Sequence, residues 1–128
     1  MKKIIILFTF FLVAFTGFSR KDGADTVYGI ASFYSANLDS TLTATGEYYT
    51  HGKLTAASNH FKLGTWVRVT NLKNGRSVIV RINDRMHTRM AKKGRVVDLS
   101  RSAAKLLGFM KGGLTRVQVV KVPKGTKE

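Results

Sequence analysis

Short stretches of alternating apolar and polar residues recur along the second half of the chain. Residues 66–70 alternate in this way, as half-buried strands do. Residues 77–82 repeat the pattern, with Val78, Val80 and Ile82 on one face. The pair Asn74-Gly75 between them is a strong signal for a two-residue hairpin turn. The pattern predicts that the two segments form an antiparallel hairpin.

Three further segments have the composition of strands, at 27–34, 95–98 and 114–122. The strands are short, and an open sheet of such strands would leave long edges exposed to solvent. A small closed β-barrel is the architecture that removes those edges. The sequence therefore predicts a mainly β protein built as a closed barrel.

One helix and two long loops interrupt the strands. Ser100 is a good N-cap for a helix over 101–107, which Gly108 is expected to end. Residues 35–49 are rich in Ser, Thr, Gly and Asn, and residues 83–94 are rich in Arg and Lys. Loops of such length in a compact domain are often functional, so both are candidates for a site.

The N-terminus has the pattern of a secretory signal peptide. Two lysines precede an apolar run over 4–15, and Gly17 and Ser19 supply the small residues that favour cleavage after Ser19. The run is shorter than the roughly 20 residues that span a bilayer. The sequence predicts a signal peptide over 1–19 and export to the periplasm, the cell envelope or the outside, without stable membrane insertion after cleavage. An uncleaved N-terminal anchor is the alternative.

Charge and composition narrow the choice of partners. The 128 residues suit a single domain, and they carry 22 Lys and Arg against 7 Asp and Glu, a formal charge of +15. Such a positive net charge attracts polyanions. Export argues against nucleic acid and leaves anionic cell-wall polymer or anionic membrane, although the basic loop can equally be a solvated surface.

The amino-acid composition also argues against disulfides, lipidation and a metal site. The chain has no cysteine, so we expect neither disulfides nor lipidation. Its three histidines, at positions 51, 60 and 87, have no zinc-site spacing. We expect no metal and no cofactor, and we expect a monomer.

An ordered series of short motifs resembles a known family. The blocks are GIASFY at 29–34, TATGE at 43–47, LTAA at 54–57, VRVTNL at 67–72, VRINDR at 80–85 and VDLS at 97–100. In this order, over residues 29 to about 122, they resemble the RlpA-like (rare lipoprotein A) proteins. The resemblance implies a six-stranded double-psi β-barrel with one or two short helices. The barrel is expected over 27–123, after a flexible lead-in at 20–26 and before a basic tail at 124–128.

The resemblance also implies an activity. Such proteins are endolytic lytic transglycosylases that cut peptidoglycan glycan strands, in some members those lacking stem peptides, and leave 1,6-anhydro-N-acetylmuramic acid ends. The reaction needs a carboxyl that protonates the leaving oxygen and then accepts the proton of the attacking 6-hydroxyl. Asp84 falls on the family's catalytic aspartate, and Glu47 on a motif glutamate that would orient the sugar or tune Asp84.

Two positions depart from the family pattern. Thr50 and Ser58 stand where the family commonly has an aspartate and a histidine. Ser58 itself is a possible assisting residue, and His60 would face the same side as Ser58 if that segment is extended, and could then assist as well. These departures keep open an alternative function, a non-catalytic expansin-like barrel that binds glycan without cutting it.

The remaining candidates surround these residues. Asp98 is expected to hold the helix start, with a secondary possibility of a role in the site, as in expansin-like proteins. Arg81 and Arg85 flank Asp84, and nearby cations oppose the protonated form that a general acid needs. A structural ion pair between Asp84 and one of these arginines is therefore the competing interpretation. The predicted substrate-binding residues are Tyr34, Tyr48, Tyr49, Asn83, Arg81 and Arg85.

Overall fold

Six strands close into one barrel in the computed structural model, which describes residues 25–128. The strands are β1 (Thr26–Phe33), β2 (Thr55–Ala57), β3 (Trp66–Asn71), β4 (Ser77–Asp84), β5 (Arg95–Leu99) and β6 (Thr115–Val122). Their order around the barrel is β1-β5-β2-β4-β3-β6, with β6 returning to β1. The pairs β1–β5 and β2–β4 are parallel and the other pairs are antiparallel. The predicted six-stranded double-psi barrel is confirmed.

The predicted N-terminal segments fall mostly outside this description. The signal peptide over 1–19 and all but the end of the lead-in at 20–26 lie outside the described residues. Thr26 already belongs to β1, so the first strand takes the last residue of that lead-in. Within residues 25–128, no helix is long and apolar enough to span a membrane.

The barrel interior holds the side chains that the alternating pattern predicts. Residues of β3 and β4 are alternately buried and half-buried, and Val67, Val69, Val80 and Ile82 are at most 1% exposed. Leu107, from the helix that follows β5, is fully buried in the same cluster. Burying an aliphatic side chain of this size contributes about 1.5–3 kcal/mol, so this cluster holds a barrel that has no disulfide.

The β3–β4 hairpin is present, but its turn is longer than predicted. Gly75 has the left-handed φ of +79° that the Asn-Gly signal indicates. However, Asn71 rather than Asn74 closes the loop: its backbone N–H donates to the carbonyl of Arg76 at 2.8 Å, and its carbonyl accepts from Gly75 N–H at 2.7 Å. The buried Asn71 side chain donates to Leu107 O at 2.9 Å. This tertiary contact fixes the geometry of the loop. The Asn-Gly signal is local and takes no account of such a contact.

Two α-helices lie between the strands: α1 (Thr88–Lys92) and α2 (Arg101–Leu107). The prediction of α2 is confirmed, with Ser100 Oγ accepting from Ala103 N–H and Gly108 in the left-handed region at φ +76°. Helix α1 lies inside the basic segment that was predicted to be a loop throughout. It has five residues, too few for a helical hydrophobic period to be visible in the sequence.

Two irregularities in the parallel strand pairs lie next to the candidate site. Ala56 pairs with Ile82 but Ala57 pairs with Asp84, so Asn83 is an extra residue on β4. A second register shift occurs between β1 and β5, where the residue before Val97 is extra. Such bulges bend a strand and redirect the side chains that follow. Both shifts precede a carboxylate, Asp84 on β4 and Asp98 on β5.

Candidate active site

Two carboxylates lie on either side of the short strand β2. Ala57 is paired with Asp84 of β4 on one side and with Asp98 of β5 on the other. Two strand spacings separate their Cα atoms, about 10 Å. The topology therefore brings together two acidic residues that are 14 positions apart in the sequence, where β2 and β4 end beside the antiparallel strand β5.

Three donors hold the half-buried Asp84 carboxyl. Tyr34 Oη donates to Oδ2 at 2.6 Å, and Oδ1 accepts from the backbone N–H groups of Ala44 and Arg85 at 3.0 and 2.9 Å. Ala44 belongs to the long loop of the TATGE motif, so this contact ties the loop to the end of β4. All three donors are uncharged, and together they fix the orientation of the carboxyl.

The arginines that flank Asp84 in the sequence point elsewhere. Arg81 makes a bidentate ion pair with Glu47, with N–O distances of 2.7 and 2.9 Å. Arg85 Nη1 donates to the carbonyl oxygens of Ser58 and Phe61, at 2.6 and 2.5 Å. Within residues 25–128, Asp84 has no ion-pair partner. The structure thus pairs an arginine with Glu47, and not with Asp84 as the competing interpretation required.

Glu47 is consequently a permanent anion at neutral pH. The Arg81 guanidinium is the main cause that lowers the pKa of Glu47 to about 2, against the opposing effect of partial burial. Thr45 Oγ1 also donates to Glu47 Oε1, at 2.9 Å. A carboxylate with this pKa does not exchange protons near pH 7, so its chemistry is that of a fixed negative charge and hydrogen-bond acceptor.

Asp98 has the opposite character. Its pKa is raised from 3.8 to about 6, mainly by burial and in small part by the negative charge of Asp84. The hydrogen bond from Ser32 Oγ to Oδ1 at 3.2 Å and the charge of Arg95 act in the opposite direction. A carboxyl with such a pKa exchanges a proton close to neutral pH. Sequence reasoning gave Asp98 only a secondary place, because burial by neighbouring strands is not visible in a local motif.

Two stacked tyrosines lie beneath the site and support Asp84. The rings of Tyr34 and Tyr49 are stacked, with centroids 3.9 Å apart and planes 6° from parallel. Tyr49 Oη lies 2.8 Å from His51 Nδ1 and accepts from Arg101 N–H at 3.1 Å. Burial and the hydrogen bond to Asp84 raise the pKa of Tyr34 above its ordinary value, so its hydroxyl keeps its proton and donates it to the hydrogen bond.

The predicted substrate-binding tyrosines differ in exposure. Tyr48 is 63% exposed beside Glu47, where a sugar can reach it. Tyr34 is 6% exposed and Tyr49 is fully buried, so the structure places both underneath the surface as supports. Asn83 is also buried, and its Oδ1 has no hydrogen-bond partner among the described residues.

The side chains of Ser58, which stands where the family commonly has histidine, and of the nearby His60 do not converge on Asp84. Ser58 is fully buried, and its Oγ donates to Val96 O at 2.8 Å. The chain bends at Asn59 and His60 and is not extended there, which removes the condition under which His60 would share the direction of Ser58. His60 is exposed. Within residues 25–128, no group of three or more His, Asp or Glu side chains is placed to hold a metal ion.

Comparison with known proteins places this barrel in a family. Residues 26–119 match the family model described as lytic transglycolase. The chain belongs to the lytic transglycolase family. This confirms the resemblance carried by the ordered motifs, and it applies to the same strands and loops that assemble the Asp84 site.

Relatives in this family carry informative names. The chain is 46% identical over 91 residues to the endolytic peptidoglycan transglycosylase RlpA of Pasteurella multocida, a match that covers 71% of this chain and 30% of that protein. It is 49% identical over 94 residues to the probable endolytic peptidoglycan transglycosylase RlpA of Nostoc sp., covering 71% and 24%. The chain thus spans less than a third of the length of these relatives.

A solved structure shares the architecture. The expansin of Clavibacter michiganensis in its apo form superposes with a TM-score of 0.61 at 24% identity, over 80% of this chain and 52% of that one. At this identity the likeness concerns the fold, since one barrel can carry different activities.

Proposed function

We propose that the protein is an endolytic peptidoglycan lytic transglycosylase that acts in the cell envelope after export. Family membership and the names of the relatives support the reaction class. The observation that carries the proposal is Asp84, a half-buried carboxyl at the barrel end that three neutral donors orient and that no cation of residues 25–128 neutralises. Glycan strands lacking stem peptides are the proposed substrate.

In this mechanism Asp84 acts first as an acid and then as a base. Protonated Asp84 gives its proton to the glycosidic oxygen as the bond from that oxygen to C1 of N-acetylmuramic acid breaks. The 6-hydroxyl of the same sugar then bonds to C1, and its proton returns to Asp84. No water is consumed, the product carries a 1,6-anhydro ring, and the carboxyl ends in its starting state.

Glu47 and Asp98 have supporting roles in the proposal. Glu47, whose carboxylate Arg81 holds in a fixed orientation, is proposed to orient the sugar as a hydrogen-bond acceptor. Asp98 stands one strand beyond β2, and its raised pKa keeps it partly protonated near neutral pH. Asp98 is proposed as a second group that can exchange a proton beside the site.

A glycan-binding barrel without cleavage is the second candidate. The observation that favours it is the burial of Ser58, whose hydroxyl is engaged by a backbone carbonyl at the position where the family commonly has histidine. Thr50 likewise offers no carboxylate where the family commonly has one. A site with these substitutions holds fewer proton-transfer groups than the family pattern.

Mass spectrometry of digested glycan separates the two functions. We expect the mature protein to release products with 1,6-anhydro ends from stem-peptide-free glycan strands, and we expect Asp84→Asn to reduce this by at least about a thousandfold, as loss of an essential acid–base group does. Asp39→Asn, at an exposed aspartate that accepts from the His51 N–H, is the matched control and should keep the activity. Glycan binding with no anhydro product from the wild-type protein would contradict the enzyme and favour the binding module.

The proposed partners follow from the same chemistry. The glycan strand is the main one, and the formal charge of +15 supports additional contact with anionic cell-wall polymer. The protein is proposed to work as a monomer, without lipidation and without contact with nucleic acid.

A further inference from the structure

A cavity of about 740 Å³ lies on the outer wall of the barrel, beyond the carboxylates described above. Residues 76–81, which include most of β4, line it together with Trp66 of β3, residues 53–55, Leu106 of α2 and residues 126–128. The apolar residues that line it are Leu54, Trp66, Val78, Ile79, Val80 and Leu106. We call this cavity the outer groove.

The outer groove is continuous with the candidate active site through Arg81. This residue lines the groove and at the same time holds Glu47 with both terminal guanidinium nitrogens. Along β4, Ser77, Ile79 and Arg81 are the half-buried residues that alternate with the buried core positions. Asp84 follows three residues after Arg81, about 10 Å along an extended strand. One strand therefore leads from the groove to the proposed acid–base group.

The groove combines an apolar floor with a cationic rim. Leu54 and Leu106 are 41% and 55% exposed, a large apolar area to leave in water. Lys53, Arg76 and Lys127 line the same cavity. Its one carboxylate, Glu128, already accepts from Ser77 Oγ at 2.8 Å and from the side chain of Arg68 at 3.4 Å. The groove thus favours a ligand with apolar faces and negative charges.

We propose that the outer groove holds the sugars of the same glycan strand beyond the bond that is cut. The apolar C–H face of a sugar packs on Trp66 and its aliphatic neighbours, and the rim cations attract the lactyl carboxylates that stem-peptide-free muramic acid exposes. An enzyme that cuts within a strand must hold sugars on both sides of the reacting bond. This inference rests on the proposed function, since its ligand is the proposed substrate.

Trp66 is the only tryptophan of the chain and reports on the groove directly. The probe is a series of stem-peptide-free glycan oligomers of increasing length, titrated into the Asp84→Asn protein so that no strand is cut. We expect Trp66 fluorescence to shift to shorter wavelength with long oligomers and to change little with a single disaccharide. Calorimetric binding of long oligomers without any change in Trp66 fluorescence would overturn the inference. A fluorescence response to soluble polyglycerol phosphate but not to glycan would also overturn it, because the groove would then hold anionic polymer.

A surface substitution tests the groove in the active protein. Leu106→Glu places a negative charge in the groove at an exposed helix position, and Leu114→Glu places the same charge at a leucine of similar exposure, 47%, outside the lining. We expect Leu106→Glu to lower the preference in kcat/KM for long over short oligomers roughly fivefold. Leu114→Glu should keep that preference.

The outcomes separate this inference from the proposed function. Equal length preference in Leu106→Glu and wild type, with anhydro products still formed, would overturn the groove and leave the enzyme intact. If Trp66 fluorescence shifts with oligomer length but the wild-type protein forms no anhydro product, the groove would be supported and the enzymatic function contradicted. Circular dichroism of both leucine variants checks that the barrel is folded.

Discussion

Replacement of Asp98 by Asn tests how strongly the barrel buries this carboxyl. The pKa of Asp98 is about 6 in the folded protein against an ordinary value of 3.8, mainly because burial penalises its charged form. Each pH unit of difference between folded and unfolded pKa corresponds to about 1.4 kcal/mol. Ionised Asp98 therefore costs the folded state up to about 3 kcal/mol above pH 6, which is a large part of the stability of a small domain.

The sign of this effect follows from the raised pKa. The stabilisation from protonated Asp98 is fully present below pH 3.8 and is lost as the pH rises through about 6. Asparagine stays neutral at every pH and keeps an oxygen that accepts the hydrogen bond of Ser32. The free energy of unfolding of Asp98→Asn should thus exceed that of wild type by up to about 3 kcal/mol at about pH 8, and the two proteins should converge below about pH 4.

Urea unfolding followed by circular dichroism measures this difference at a series of pH values. The exposed Asp25, at the beginning of the described chain, provides the matched control, and Asp25→Asn should leave the pH dependence unchanged. A constant difference between Asp98→Asn and wild type from about pH 4 to pH 8 would refute the reasoning, because it would mean that Asp98 titrates as a solvated carboxyl. A loss of stability at pH 8 would show that the negative charge is needed for folding.

Two further substitutions test the hydrogen bonds of the site. Tyr34→Phe removes the 2.6 Å hydrogen bond to Asp84 but keeps the stacked ring, and should slow anhydro-product formation roughly tenfold; Tyr28→Phe, at an exposed hydroxyl, should not, and equal rates in both variants would exclude a positioning role for Tyr34. Arg81→Met removes the main cause of the low pKa of Glu47, so carboxyl NMR titration should find it raised from about 2 toward 4.5. An unchanged Glu47 titration would assign the low pKa to other groups. The ion pair is partly exposed, so the free energy of unfolding should fall by less than about 1 kcal/mol.

The relation between sequence and fold can be followed in individual elements. The β3–β4 hairpin and helix α2 were predictable because their signals are local: alternation with period two, an Asn-Gly pair, a serine N-cap and a terminal glycine. Strand β2 carries no such signal. Its three residues are all buried, so no polar position alternates with an apolar one. The number of strands came from the family resemblance, and the position of β2 between β5 and β4 in the barrel came only from the structure.

The site shows the same division. The motifs identified Asp84 and Glu47 as the candidate site carboxyls, because a motif consists of residue types in a fixed order and can be read directly from the sequence. Which arginine belongs to which carboxyl was decided by tertiary structure. The bulge at Asn83 redirects the end of β4, Arg81 reaches the loop that carries Glu47, and Asp84 is left with neutral donors.

The amino-acid sequence by itself determined the charge, the alternation of buried and exposed positions in the strands, and the membership in the lytic transglycolase family. These depend on residue types and on their spacing along the chain. The tertiary structure alone decided the environment of each acid. The pKa values of Glu47 and Asp98 move in opposite directions because one carboxyl meets a guanidinium from β4 and the other is buried between strands distant in sequence. Contacts between distant segments are set by how the whole barrel closes, and no local pattern records them.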